Sequence, residues 1–293
     1  MKVFVTGASG FVGSAVVQEL RQAGHQVLGL ARSEASAQAL VAAGAEVLQG
    51  DLTDLESLKR GAAAADGVIH LAYNHDFSQY EAAATTETSA IEAMGSVLAG
   101  SDRPLVVTSG FAGFAPGRLA TEEDTPTATV RTSEQAALAL VPQGVRAMVV
   151  RLAASVHDAG DHGFVPYLIG LARQKGEAAY LGDGQNRWPA VHRLDAARLF
   201  RLALEQGVAG ARYHGVGDEG IAFRDLAATI GQHLGVPVVS KSAAEAAEHF
   251  GWMARFAGLD MAASGALTQQ RLGWQPAHPS LLADLALGHY FAG

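Results

Sequence analysis

A chain of 293 residues is long enough for one large domain, or for a sheet domain carrying a smaller cap. Its 49% hydrophobic and 17% charged residues are those of a globular protein, and a net charge of −8 without a basic stripe excludes nucleic acid as the main partner. The absence of cysteine excludes disulfides, thiolate catalysis and cysteine-ligated zinc, and no metal site is expected.

In chain order, short β-branched runs alternate with longer alanine-rich stretches, which is the signature of βαβ units in a parallel sheet. Strands are predicted at Val3–Thr6, Gln26–Ala31, Glu46–Gln49, Val68–Leu71, Leu105–Thr108 and Arg146–Arg151. Between them helices are predicted at Val12–Ala23, Ala35–Ala43, Leu55–Ala64, Phe77–Ala99 and Thr132–Val141. The expected fold is therefore α/β, a Rossmann-type doubly wound parallel sheet. After Arg151 the rhythm breaks, and Gly, Pro, His and Trp crowd the stretch from Ser155 to Pro189. Helical patterns return at Leu194–Glu205, Phe223–Leu234, Ala243–Phe256 and Ser280–Tyr290, with a strand near Ala211–Gly215. Residues 1–151 are thus expected to bind a dinucleotide. Residues 152–293 are expected to supply a smaller substrate-binding cap and the last sheet and helix elements.

The apolar stretch after Met1 ends at Gly7, too soon for a signal peptide, and no run of about 18 apolar residues exists to span a membrane. A cytoplasmic protein without membrane association is the expectation. The long alanine-rich helix predicted from Phe77 suits either a homodimer bundle or a cover for its own sheet.

Thr6-Gly7-Ala8-Ser9-Gly10-Phe11-Val12-Gly13 follows a strand and opens a helix, the context in which a glycine-rich turn binds a dinucleotide. Gly7 makes the tight turn, Gly10 lets the pyrophosphate approach the backbone, and Gly13 lets the helix pack on the strand. The helix amides around Ser9, Phe11 and Val12 then meet the phosphates. The second strand ends in Arg32 and Ser33 rather than in a carboxylate, so a 2′-phosphate is better served than a free ribose hydroxyl. NADP(H) is favoured as cofactor over NAD(H), which the turn alone would also admit.

The glycine pattern resembles that of the extended short-chain dehydrogenases/reductases, the relatives of sugar-nucleotide epimerases and dehydratases. Gly50-Asp51-Leu52-Thr53, His70-Leu71-Ala72, Val106-Val107-Thr108-Ser109-Gly110, Arg151-Leu152-Ala153-Ala154-Ser155 and Val191-His192-Arg193-Leu194-Asp195 follow in the family's order. By that likeness Asp51 and Leu52 flank the adenine, Leu71 and Ala72 line the cofactor, and Leu152 and Ser155 lie near the nicotinamide. Thr108 and Ser109 close the fifth strand, where the family keeps a catalytic hydroxyl.

One departure bears on the chemistry. The family's dehydrogenases use a Tyr followed four residues later by a Lys, and here the matching positions read Val130 and Glu134. None of the six tyrosines has a Lys four places on. The chain thus resembles an atypical subgroup that keeps the extended glycine motif and lacks the catalytic pair. Another proton donor is required, and the segment after the sixth strand offers His157, His162 and Tyr167, with Ser109 as a further hydroxyl. His192 and Asp195 read as hydrogen-bonding core groups, and Trp188 and Trp252 either wall a substrate pocket or fill the cap.

The leading expectation is an NADP(H)-dependent oxidoreductase that transfers hydride with a small carbonyl-type substrate. A protein that holds NADP(H) without turnover, and a nucleotide-sugar epimerase or dehydratase, are the other two readings.

Overall fold

The computed structural model describes residues 1–76, 79–114, 116–126 and 131–292. Its first half is a succession of βα units: β1 (Lys2–Thr6), α1 (Phe11–Gln22), β2 (Gln26–Ala31), α2 (Glu34–Ala42), β3 (Glu46–Gln49), α3 (Leu55–Ala63), β4 (Gly67–His70), α4 (Tyr80–Leu98), β5 (Pro104–Ser109), α5 (Ser133–Leu138) and β6 (Arg146–Leu152). The second half adds β7 (Ser155–His157), α6 (Phe164–Lys175), β8 (Ala178–Leu181), β9 (Arg187–His192), α7 (Arg193–Gln206) and β10 (Arg212–Gly215). It ends with β11 (Asp218–Ala222), α8 (Phe223–Leu234), β12 (Val238–Lys241), α9 (Ala246–Phe250), α10 (Ala254–Ala257), α11 (Ala266–Leu272) and α12 (Leu281–Ala286).

Seven strands form one parallel sheet in the order β10-β6-β5-β4-β1-β2-β3. This is the doubly wound order, with the chain reversing direction between β1 and β4, where ligands bind beyond the carboxyl ends of the strands. The strands are apolar on both faces because helices cover both. Val3 and Val5 join the core under α1 and α7, while Phe4 joins the core under α3 and α4, as the two-residue strand period requires. The sheet gains β10 as a seventh strand, so the return at residue 212 extends the first half's sheet rather than the cap.

A third core is separate from these two. Trp188, Phe223, Ile230 and Phe250 are buried within it under α6 and α8, next to a three-stranded sheet β11-β9-β7 and a β12-β8 pair. This cap differs most from the sequence expectation. The predicted helix from Ala243 is broken at Gly251, whose φ of +57° no other L side chain readily adopts, into α9, a single 3₁₀ turn and α10. Helix α6 was not expected at all. The helix predicted from Phe77 begins at Tyr80; positions 77 and 78 lie outside the described residues. Among the described residues no helix is long and apolar enough to cross a membrane.

Candidate active site

A cleft of about 1120 Å³ runs from the carboxyl ends of β1, β4, β5 and β6 to the cap. The glycine turn forms its near end. Gly7 has a φ of +67°, and a Cβ there would lie 2.8 Å from the Ala72 nitrogen, so the turn and the chain after β4 close on each other backbone to backbone. A Cβ on Gly13 would meet the Gly7 carbonyl oxygen at 1.9 Å. Thr6 fastens the same junction: its Oγ1 lies 2.8 Å from His70 Nδ1 and accepts from the Ala72 amide at 3.3 Å. Burial pushes the His70 imidazole down to about 3, so it stays neutral and the clasp carries no charge. No side chain caps α1 at Gly10, which leaves its first amides for a ligand.

The residues expected around a dinucleotide mostly come together here. Gly7, Ser9, Gly10, Phe11, Val12 and Gly13 line the cleft. So do Arg32, Asp51, Leu52, Leu71, Ala72, Thr108, Leu152 and Ser155. Asp51 accepts from the Thr53 amide and hydroxyl, both at 2.9 Å, and the amide bond above all holds its carboxyl below the ordinary range. Ser155 Oγ is buried without a hydrogen-bond partner among the described residues, which suits a group that meets a ligand's amide. Ser33 departs from expectation: it is the N-cap of α2 and accepts from the Ser36 amide at 3.2 Å, and Ser36 rather than Ser33 lines the cleft beside Arg32. A glycine cradle, free helix amides and an orphaned hydroxyl together fit a nicotinamide dinucleotide.

The catalytic candidates separate more sharply. His157 does not line the cleft: it is wholly buried, its Nδ1 lies 2.9 Å from Asp284 Oδ2, and its ring meets His192 edge-on in the core behind β9. His157 therefore stands apart from the cleft that the other candidates line. Tyr167 lines the cleft, but its hydroxyl donates to the Phe250 carbonyl at 3.2 Å. His162 is exposed in the cleft, edge-on to Phe11 with ring centroids 5.8 Å apart. Ser109 lines the cleft, whereas the Thr108 hydroxyl is committed to the His70 carbonyl at 2.9 Å. His192 caps α7 by accepting from the Leu194 amide, and Asp195 receives the Ala277 and His278 amides. Trp188 fills the cap core at 2% exposure, and Trp252, 40% exposed, walls the cleft.

Residues 3–216 match the model of the NAD dependent epimerase/dehydratase family. The chain belongs to this family. An uncharacterised protein of Schizosaccharomyces pombe is 50% identical over 99% of this chain and 100% of its own. A 4-hydroxy-2-methyl-3-oxo-4-farnesyl-3,4-dihydroquinoline-1-oxide ketoreductase of Stigmatella aurantiaca is 29% identical over 86% of this chain and 80% of its own. Among solved structures, a dTDP-glucose 4,6-dehydratase of Streptomyces venezuelae with NAD and TYD bound superposes with a TM-score of 0.80 at 21% identity, covering 99% of this chain and 97% of that one, a likeness of fold.

Glu134, the residue that the sequence resemblance sets at the family's lysine position, is buried. Arg151 Nε and Nη2 donate to its two oxygens at 2.8 and 2.7 Å, and Arg212 Nε donates at 2.6 Å. Burial raises the Glu134 carboxyl, but the bonds from Arg151 and Arg212 outweigh it and hold it below the ordinary range. Val130 lies outside the described residues. Sequence reasoning missed Tyr73, His75 and Arg131, all of which line the cleft. Tyr73 and His75 could have been found from their place just after β4, at the same end of the sheet as the glycine turn. Arg131, just ahead of α5, carried no such signal.

Proposed function

We propose that the protein is an NADP(H)-dependent reductase that delivers hydride to a small carbonyl compound with an apolar body. The observation that carries this reading is the single cleft that joins the glycine cradle to a cap wall of Phe164, Trp252, Phe256 and Met261. The cradle and the orphaned Ser155 hydroxyl favour a nicotinamide cofactor. Arg32 at the end of β2 favours the phosphorylated form, because its planar fork matches a phosphate and the side chain there is not a carboxylate. An aromatic wall favours an apolar substrate over a nucleotide diphosphate, which calls for cations. The ketoreductase relative, by its name, reduces a ketone on a ring system carrying a farnesyl group, in line with this chemistry.

When bound, the cofactor supplies the hydride. The chain's own part is to orient the ring through Ser155, exclude water through the aromatic cap, and protonate the oxygen that becomes an alkoxide. Calorimetric titration with NADPH and NADH tests the reading. Tighter binding of NADPH is expected, and Arg32→Ala removes about 1.5–3 kcal/mol of charge-assisted hydrogen bonding, a roughly ten- to hundredfold loss confined to NADPH. Equal affinities for the two cofactors in the unaltered protein would refute the preference. Failure of both to bind would refute the whole reading.

A further inference from the structure

The missing Tyr/Lys pair has a counterpart assembled from other parts of the chain. Tyr73, three residues past the end of β4, lines the cleft, and its Oη is buried with no hydrogen-bond partner among the described residues. A buried hydroxyl without a partner is costly, and an acceptor brought by a ligand would satisfy it. The Arg131 guanidinium stacks over the Tyr73 ring, 4.4 Å from its centroid. Arg131 is held in place from two sides. Glu87, 1% exposed, takes a two-pronged ion pair from it, and Nη2 also donates to the Thr108 carbonyl at 3.0 Å. Thr108 immediately precedes Ser109, which lines the same cleft. A phenol, a serine and a fixed cation therefore line one cleft at the carboxyl ends of β4 and β5.

We propose that Tyr73 is the catalytic proton donor of this reductase, with Arg131 as its fixed cationic neighbour. The assignment rests on the NADP(H)-dependent reading above. In the step, the carbonyl carbon accepts the hydride that NADPH supplies, the C=O π pair moves onto oxygen, and the Tyr73 O–H proton passes to that oxygen. The products are an alcohol, NADP⁺ and a phenolate facing Arg131, and water restores the phenol. Burial pushes the phenol up to about 12 while Arg131 pulls the other way, so at neutral pH Tyr73 carries the proton it must give. The charged or titratable groups that face it are Arg131, Tyr80, Glu87 and Arg255, with the His75 ring edge-on at 5.3 Å.

The test is the ionisation of Tyr73, followed in protein whose six tyrosines carry ¹³C at ring position Cζ, with Tyr73→Phe assigning the signal. In the free protein the Tyr73 resonance stays that of a phenol up to about pH 10. NADP⁺ places a nicotinamide cation beside it, and the resonance is expected to move toward phenolate below that pH. The 2′-phosphate of ADP-ribose, which lacks the nicotinamide, should leave it unmoved. With trifluoroacetophenone and NADPH, Tyr73→Phe is expected to lower kcat about a hundredfold at unchanged KM for NADPH. A Tyr73 signal indifferent to NADP⁺ while other resonances shift, or a Phe variant at full kcat, overturns the assignment. No shift in any resonance with either nucleotide overturns the cofactor reading, and the assignment with it.

Discussion

Restoring the family's lysine by Glu134→Lys is expected to unfold this protein rather than to repair a catalytic pair. Glu134 is 3% exposed and is the only carboxylate that hydrogen-bonds Arg151 among the described residues, while Arg151 itself is 0% exposed. Glu134→Gln removes one charge from a buried pair, which costs about 3–5 kcal/mol. At about 2–4 °C per kcal/mol for a chain of this order of size, that lowers the Tm by about 6–20 °C. Glu134→Lys goes further by placing an ammonium against Arg151 and Arg212. Two like charges about 4 Å apart repel by about 4 kcal/mol at an effective dielectric near 20, so the sum approaches the whole of a typical stability of about 5–15 kcal/mol. The assay is thermal unfolding by circular dichroism, with soluble yield as the second readout. The acid limb adds a sign. The folded carboxyl sits below its ordinary range, so its contribution is present above that range and is lost as pH falls through it, and Glu134→Gln should flatten this limb. A Glu134→Lys protein that melts within about 2 °C of the parent, less than about 1 kcal/mol, would refute the reasoning.

His157→Gln is expected to lower stability by about 3–5 kcal/mol, by leaving Asp284 buried without its partner, while kcat per folded molecule stays at the parent value; a large loss of kcat in fully folded protein would return His157 to the reaction. His70 stays neutral in the fold but takes up a proton in the unfolded chain below about pH 6.5, so stability falls with acidification by about 1.4 kcal/mol per pH unit for this one group. His70→Asn should flatten the slope of guanidinium unfolding free energy between about pH 6.5 and 5 by that amount, and an unchanged slope would contradict the burial argument.

The strands of the doubly wound sheet were legible because each is signalled locally, by a β-branched run followed by a turn and a helical pattern. The glycine cradle was legible for the same reason: Gly7, Gly10 and Gly13 are close in sequence and act on one another. The cap was not. Helix α6 starts at Phe164 with Gly163 as an uncapped N-terminus and carries Pro166 in its first turn, where proline is tolerated but reads as a breaker. Strand β9 pairs with β7 on one side and β11 on the other, and β8 pairs only with β12, so their register is set by distant partners. One catalytic candidate was misplaced for the same reason. His157 sits at the right end of β7, yet Asp284 from the far end of the chain draws it into the core. Arg131 carries no signal in the sequence; its stacking on the Tyr73 ring is set by the fold.

If Tyr73 is the proton donor proposed above, its protonation state bears on the direction in which the chemistry runs. An epimerase or dehydratase must begin by taking a proton from a substrate hydroxyl, and efficient proton transfer calls for a group whose pKa lies near the working pH. In the cofactor-free protein a phenol pushed up to about 12 holds almost no phenolate at neutral pH. The same phenol is fully charged with its proton and serves as an acid toward an alkoxide, a stronger base than phenolate. Arg131 lowers the cost of the phenolate that results, but it is already paired with Glu87, so it offsets burial only in part. On that assignment, the burial that keeps the proton on Tyr73 before the cofactor binds is what suits it to finishing a reduction.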